Sequence, residues 1–393
     1  VSWTYLLCDK DSDAELADLT EWSLTKKISA RLNRPLSTVL TIPGDTAAIR
    51  DSSFDGRPNL EVGRRTIKAY QDGVLRGHTL VWNIGPSGDE NQTSVMVTGY
   101  DPMMLLPKRL VQESDGTFAN PQFASPITGA EILQQVIDNT VSNDGPLPID
   151  TSGAISSSTD LAADLTNWPT TIGDLFTMLT DTGVLDVQMA PVDTHTGFPA
   201  GIMAQLLVAD ELGADLTDSV HFDYATGDFS VANIRRSFDM DELCNKLWYY
   251  LGPRIDDTHY RGNITATEAG LETYAALQLA SRDLYGVYMD ARIYDDTDVE
   301  SDARPLFHRL WKTEVQLRVN PRELLYVQPA AGDGCPFRPF IDYNPGDRVS
   351  VNAADIVGPA IDGAVQRIYG FDVDEDQDGI ERASELIVSA ADE

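Results

Sequence analysis

Between Asp18 and Pro43 apolar side chains fall on every second position: Trp22, Leu24, Ile28, Ala30 and Leu32, with Lys26 as the single break. The beat stops at Asn33-Arg34-Pro35 and resumes at Thr38, Leu40 and Ile42. A period of two with a short interruption predicts two half-buried strands joined by a tight turn. Residues 60–100 continue this character. Ile67 and Ala69 alternate with Thr66, Lys68 and Tyr70, and Gln71-Asp72-Gly73 carries a hairpin signal. Val74–Trp82 and Val95–Tyr100 read as the following strands, with Gly85–Gln92 as a polar loop. The first hundred residues are expected to form an antiparallel barrel or sandwich.

The period then changes. Thr128 and Glu131 have capping-box spacing ahead of Ile132, Leu133, Val136 and Ile137, which share one helical face. Thr171–Leu179 predicts a second short helix that buries Ile172, Leu175, Phe176 and Leu179. Asn143–Asp160 is rich in Gly, Ser, Pro and Thr and reads as a loop. Strands are expected at Val184–Met189 and Met203–Val208, and further helices at Thr267–Met289 and Ser301–Leu317.

The C-terminal part returns to strands. Asn344-Pro345-Gly346-Asp347 is a turn before Arg348–Asn352. Val365, Arg367, Tyr369, Phe371 and Val373 are expected to share one strand face. Gln377-Asp378-Gly379 turns the chain, and Ile380–Val388 returns with Leu386 and Val388 on one side. No repeat of fixed period occurs.

Composition narrows the class. A chain of 393 residues exceeds one ordinary core and implies two to four domains. It is 42% hydrophobic and 23% charged, as folded soluble proteins are. No apolar run is long enough to span a bilayer. The opening residues, Val1 to Lys10, lack the basic start and cleavage site of a secretion signal, which suits assembly in a cytosol. Cys8, Cys244 and Cys335 are too few and too scattered for a disulfide framework or a zinc site.

Charge changes the picture more. Asp and Glu number 62 against 29 Lys and Arg, a net charge of −33. That sign excludes a protein that grips phosphates along a groove. Three readings remain open: solubility, adaptation to high salt, and a surface past which DNA slides without sticking.

Motifs for chemistry are sparse. Asp374, Asp376, Asp378, Gly379 and Glu385 match the calcium-loop spelling of an EF-hand. Strand patterns flank them and Glu381 occupies the usual apolar position, so an acidic hairpin turn is the favoured reading. His78, His195, His221, His259 and His308 form no ligand spacing, and Asp256-Asp257-Thr258-His259 reads as a solvated loop. Gly332-x-Gly334-Cys335-Pro336 lacks the lysine of a phosphate loop, and no nucleophile elbow is present. A facing pair of glycosidase carboxylates stays open among so many acids. Trp248-Tyr249-Tyr250 is either packing or a sugar platform. No catalytic, cofactor or metal residue is assigned.

Five stretches resemble the tail hub, or distal minor tail, proteins of siphophages, especially those of actinobacteria. They are the hairpin Asp18–Pro43, the Gly99-Tyr100-Asp101 segment running to Arg109, and Asn233–Asp239 continuing to Asn245 and Gly252. Pro345-Gly346-Asp347-Arg348-Val349 and Gln366-Arg367-Ile368-Tyr369-Gly370 complete the set, in family order. The resemblance implies an α+β, β-rich fold with two tail-tube-like antiparallel β-barrels and inserted α/β domains. The first barrel would take residues 1–110 and the second 231–260 and 306–393. The insertions would be 111–230 and 261–305.

The implied role is structural rather than enzymatic. A homotrimer at the virion tail tip, assembled in host cytoplasm, would join the hexameric tail tube to the tip. A distal tail or tube ring would sit above it, and tip, fibre or spike proteins below. DNA would pass transiently through an acidic channel during ejection, without cofactors and without stable membrane association. The alternatives are a cell-wall hydrolase of the tail tip and a carbohydrate-binding tip protein.

Overall fold

A computed structural model describes residues 3–43, 52–54, 57–58, 60–87, 94–112, 122–153, 155–156, 160–164, 171–181, 185–223, 231–239, 246–251, 260–265, 285–290, 314–321, 337–352, 364–375 and 381–390. The N-terminal strands are β1 (Trp3–Asp9), β2 (Glu15–Asp18), β3 (Thr25–Arg31), β4 (Ser37–Pro43), the short pair β5 (Ser52–Phe54) and β6 (Arg57–Pro58), then β7 (Arg65–Gln71), β8 (Val74–Ser87) and β9 (Ser94–Tyr100). Apart from β5 and β6 they form one antiparallel run in the order β3-β4-β9-β8-β7-β1-β2. In β1, Trp3, Tyr5 and Leu7 point inward on alternate positions. Strand β8 runs through Gly85, Pro86 and Ser87, which face Met96, Val95 and Ser94 across the ladder. The expected polar loop is therefore shorter than its composition suggested. Pro86 is tolerated near the strand end, where few ladder bonds depend on its nitrogen.

A mixed α/β unit follows: β10 (Gln122–Thr128), α1 (Gly129–Asp144), β11 (Ile149–Asp150), β12 (Ile155–Ser156), β13 (Asp160–Asp164), α2 (Ile172–Asp181), β14 (Asp186–Pro191) and β15 (Ala204–Ala209). The capping box forms as the sequence predicts: Glu131 N donates to Thr128 Oγ1 at 3.2 Å, and Thr128 N donates to Glu131 Oε2 at 2.8 Å. Thr171 and Asp174 repeat the device on α2. Ile132, Leu133, Val136 and Ile137 of α1 pack with Ile172, Leu175 and Phe176 of α2 and with Val187, Leu206 and Val208 in a core of their own. The expected loop at 143–160 contains β11 and β12, each too short for a periodic signal and each set by parallel pairing with β15.

The remaining strands are β16 (His221–Asp223), β17 (Val231–Asp239), β18 (Lys246–Leu251), β19 (Tyr260–Thr265), β20 (Tyr285–Asp290), β21 (Glu314–Pro321), β22 (Arg348–Asn352), β23 (Ala364–Glu375) and β24 (Glu381–Ala390). Strands β18, β19 and β20 make a separate three-stranded sheet. Two helix predictions fail where they can be checked. Tyr285–Asp290 is a strand parallel to β18, and Glu314–Pro321 lies between β17 and β24. In the latter Val315, Leu317 and Val319 have a period of two, which outweighs the helical reading. Residues 267–284 and 301–313 lie outside the described residues.

Strand β23 pairs with β3, so both ends of the chain join one 13-stranded sheet. Among the described residues its order runs open-ended from β17 to β2. The fold is α+β, β-rich and built on this large sheet. One core serves both ends: Tyr5, Ile28, Leu40 and Val97 pack with Phe222, Tyr343, Ile368, Phe371, Leu386 and Val388. The inward face of β23 departs from expectation. Gln366 and Ile368 are buried, then Phe371 and Val373, while Val365 and Tyr369 are exposed. A bulge between Ile368 and Gly370 inserts Tyr369 and reverses the alternation.

Candidate functional site

Four of the five family-like segments meet at the joints between structural units, while Asn233–Asp239 lies in β17 at the end of the large sheet. At the first joint, β3 meets β23. Lys26 Nζ donates to Glu375 Oε1 at 2.9 Å, Lys27 pairs with Asp372 at 2.7 Å, and Arg31 reaches Asp372 at 2.6 Å. Arg31 also donates to the carbonyl of Phe371 at 2.6 Å. Burial opposes ionisation of Asp372, but the Lys27 hydrogen bond and the Arg31 charge outweigh it and hold the carboxyl below its ordinary range. Ion pairs with an exposed partner contribute about 0–1 kcal/mol and the buried Lys26–Glu375 pair roughly balances its own desolvation, whereas each buried Ile, Phe or Val contributes about 1.5–3. Apolar burial of Ile368, Phe371 and Val373 therefore dominates the seam, and the charges fix its register.

The second joint is the Asn33 turn. Asn33 has φ 57°, a left-handed conformation that Asn tolerates better than most residues. Its side chain accepts from Val187 N at 2.7 Å, and its own N–H donates to Val187 O at 3.3 Å. The hairpin tip is thus docked on β14. Beside it Asp186 accepts from Leu212 N at 2.8 Å and from the Arg367 guanidinium. Arg367 also donates to Leu212 O at 2.9 Å and Gly346 O at 3.2 Å.

This contact explains the Pro-Gly-Asp segment. Gly346 has φ 99°, and a Cβ there would lie 2.6 Å from Leu212 O. Asp347 then accepts from Ala214 N and Asn344 N, each at 2.7 Å. Gly99-Tyr100-Asp101 has an equally local cause. A Cβ on Gly99 would strike Thr79. The Asp101 carboxylate caps the 3-10 turn Pro102–Lys108 by accepting from Met103 N at 3.0 Å and accepts from Leu36 N at 2.8 Å. Burial pushes its pKa up to about 7 against those two hydrogen bonds. Arg109 donates to the carbonyl of Asp144 at 3.1 Å, where a cation suits the C-terminal end of α1.

The third joint was not legible as a site. Lys68 is buried and sits 2.7 Å from Asp13 and 3.4 Å from Asp193. Tyr70 donates to Asp193 at 2.6 Å, and Asp13 accepts from Thr194 N at 3.1 Å. The segment after β14 is thereby clamped onto β7. That cover is why β7 is buried on both faces.

The residues singled out for chemistry lie elsewhere. His78 is buried with Nδ1 2.7 Å from Val192 O, and burial lowers its pKa to about 4. Nδ1 therefore carries the proton of a neutral ring donating to that carbonyl. His195 is exposed on a 3-10 turn, and His221 Nε2 lies 3.2 Å from Asp218 O. Burial pushes the Cys8 thiol up to about 12, which removes its nucleophilicity near neutral pH. Tyr249 is buried and Trp248 and Tyr250 are half-buried, an alternating strand rather than an open platform.

Strands β23 and β24, not helices, flank the acidic turn, with Glu375 opposite Glu381. Asp376, Asp378 and Gly379 lie outside the described residues, as do Cys244, Cys335, His259, His308, Asn245, Gly252 and residues 256–258. Among the described residues no group of three or more His, Cys, Asp or Glu is placed to hold a metal ion, and no helix is long and apolar enough to cross a membrane.

No family model matches the chain, and no curated protein matches it. Solved structures do. The tail protein of Neisseria meningitidis MC58 is similar over 99% of this chain and 97% of its own, with a TM-score of 0.59 and 10% identity. The 43 kDa tail protein of prophage MuSo2 from Shewanella oneidensis matches over 99% and 98%, at 0.57 and 12%. Prophage tail protein gp18 of Listeria monocytogenes EGD-e matches over 98% and 94%, at 0.54 and 12%. At such identities the likeness is one of fold: the chain has, over nearly its whole length, the β-rich fold of these tail proteins.

Proposed function

We propose that the chain is a non-enzymatic tail hub of a long-tailed phage virion. One observation carries the reading: β3 and β23 unite both ends of the chain in a single sheet, within a fold shared end to end with tail proteins. A hub must transmit load through every unit of its fold. The β3–β23 seam supports that with buried apolar contact, and the other two joints with fixed hydrogen bonds and ion pairs.

On this reading the N-terminal strands, within residues 1–110, form a first tube-like barrel. The second takes its strands from 231–260 and 306–393, and residues 111–230 and 261–305 are insertions. Three copies form a ring carrying six tube-like units, which seats on a sixfold tail tube at one side and on tip, fibre or spike proteins at the other. The net charge of −33 lines an axial passage in part, so that DNA slides without adhering.

Electron cryo-microscopy of tails containing this protein tests the proposal. A threefold ring on the tail axis, at the end of the tube, is the expected result. An off-axis position, or absence of the protein from purified tails, overturns it.

A further inference from the structure

The β3–β4 turn, the β7–β8 hairpin, β14 and the segment 340–344 enclose a cleft of about 160 Å³. Arg31, Arg34, Arg76, Asp101 and Phe340 line it. Arg31 is committed to Asp372 and to the carbonyl of Phe371. Arg34 is exposed and Arg76 half-buried, and neither forms an ion pair among the described residues. Arg76 Nε is sealed from solvent without a hydrogen-bond partner. The neighbouring acid, Asp72, pairs with Arg338 at 2.9 Å, and its charge partly offsets that of Arg76 as well. The enclosed Nε is out of reach of a ligand, but the Arg34 and Arg76 guanidinium groups stand without a salt-bridge partner among the described residues, and a carboxylate entering the cleft neutralises them.

The surroundings are those of a protein contact. Val74, next to the lining residue Leu75, is 50% exposed, and Ile341, next to Phe340, is 40% exposed. Apolar side chains around arginine anchors are the composition of interface centres. Phe340 holds φ 64°, a conformation that a bulky residue keeps only where its surroundings enforce it. Charge selects the occupant. With 62 acidic residues against 29 basic ones, a second copy carries more than twice as many carboxylates as cations. Like-charged copies repel unless such a cationic cleft gives them a place to attract.

We propose that this cleft receives an Asp or Glu side chain from a second copy of this chain, gripped by Arg34 and Arg76. The inference rests on the ring assembly proposed above and locates one of its contacts.

Native mass spectrometry and sedimentation equilibrium test it on the full chain. The comparison sets wild type against Arg34→Glu/Arg76→Glu and against Arg64→Glu, an arginine paired with Glu61 away from the cleft. The expected result is a trimeric wild type, a trimeric Arg64→Glu, and self-association of the double variant weakened about thirtyfold or more. Circular dichroism verifies that the double variant is folded. Should it unfold, Arg34→Gln/Arg76→Gln takes its place with the same expected weakening. A trimeric wild type whose cleft variants assemble with equal affinity overturns the inference and leaves the ring intact. A wild type that is monomeric at every concentration overturns both.

Discussion

Lys26 Nζ lies 2.9 Å from Glu375 Oε1, and both side chains are only 4% exposed. The two residues are 349 positions apart. They close the seam between the first hairpin and the last one, in register with Ile28 opposite Val373 and Ala30 opposite Phe371. Tyr5 lies beneath, its ring centroid 5.8 Å from the ammonium. Removing one partner of such a pair strands a buried charge. Lys26→Met is expected to lower stability by about 3–5 kcal/mol, while the double change Lys26→Met/Glu375→Leu recovers most of that loss. Urea unfolding of the two variants and wild type measures the difference. Equal losses in both variants exclude the stranded charge as the cause.

Lys68 governs the response to acid. In the wild type Asp13 and Asp193 are buried, which raises their pKa, yet hydrogen bonds from Lys68, Tyr70 and Thr194 and the Lys68 charge bring both below the ordinary value. A depressed carboxyl contributes stability that is present above its unfolded pKa and lost as pH falls through the folded one. Wild-type stability therefore drops below about pH 4. In Lys68→Met the two carboxylates face each other without the cation, so their pKa values rise above the unfolded values. Their contribution then falls as pH rises. The expected signature is an unfolding free energy that falls more steeply than in wild type between about pH 4 and 6, read by urea titration at each pH. An unchanged slope overturns the assignment.

Asp101 acts in an overlapping window but through burial alone. Its folded pKa, pushed up to about 7 by burial, exceeds the ordinary 3.8. The folded state then holds the proton more tightly, so Asp101 costs stability progressively as pH rises from about 4 to about 7. Asp101→Asn keeps one acceptor for Leu36 N or Met103 N and carries no charge. It is expected to flatten that part of the pH–stability curve and to lose stability at pH 5 relative to wild type. A thermal-melting series across the range checks both effects.

These couplings mark how far the sequence could be read. The helical faces of α1 and α2 were legible because caps and periodicity are local, and so were the alternation in β4 and the β7–β8 hairpin. Lys26 read as a break in the pattern, yet it points inward in phase with Ile28. Its partner is fixed by the fold, not by spacing. Lys68 read as the polar side of an alternating strand, and only the loop around Asp193 makes that side an interior. The five resemblance segments were legible as words without a grammar. Gly346 and Asp347 make sense only once residues 212–214 are brought against them. The reversed face beyond Tyr369 depends on a one-residue bulge, which no period of two can announce. In sequence Tyr285–Asp290 reads as the end of a helix, because short apolar runs suit either state until pairing decides.

Asn33 offers the sharpest separation of turn chemistry from docking. Its left-handed φ of 57° is a property of the hairpin, whereas its hydrogen bonds to Val187 belong to the contact with β14. Asn33→Gly keeps the turn conformation at no steric cost and deletes the side-chain acceptor of Val187 N together with the 3.3 Å hydrogen bond from Asn33 Nδ2 to Asp186 Oδ1. Leaving that buried donor unmet costs about 1–3 kcal/mol. Asn33→Ala adds the strain of a left-handed β-carbon, about 1 kcal/mol more. Asn33→Asp retains an acceptor and the conformational tolerance, but brings a second carboxylate near Asp186, whose partner Arg367 is shared. The expected stability order is wild type, Asn33→Gly, then Asn33→Ala, with Asn33→Asp recovering toward wild type as pH falls below its pKa. Hydrogen exchange at the Val187 amide separates the two effects. It rises in both Asn33→Gly and Asn33→Ala if the tip anchors β14. Protection of that amide unchanged in Asn33→Gly means that the strand is held by its pairing with β15 alone.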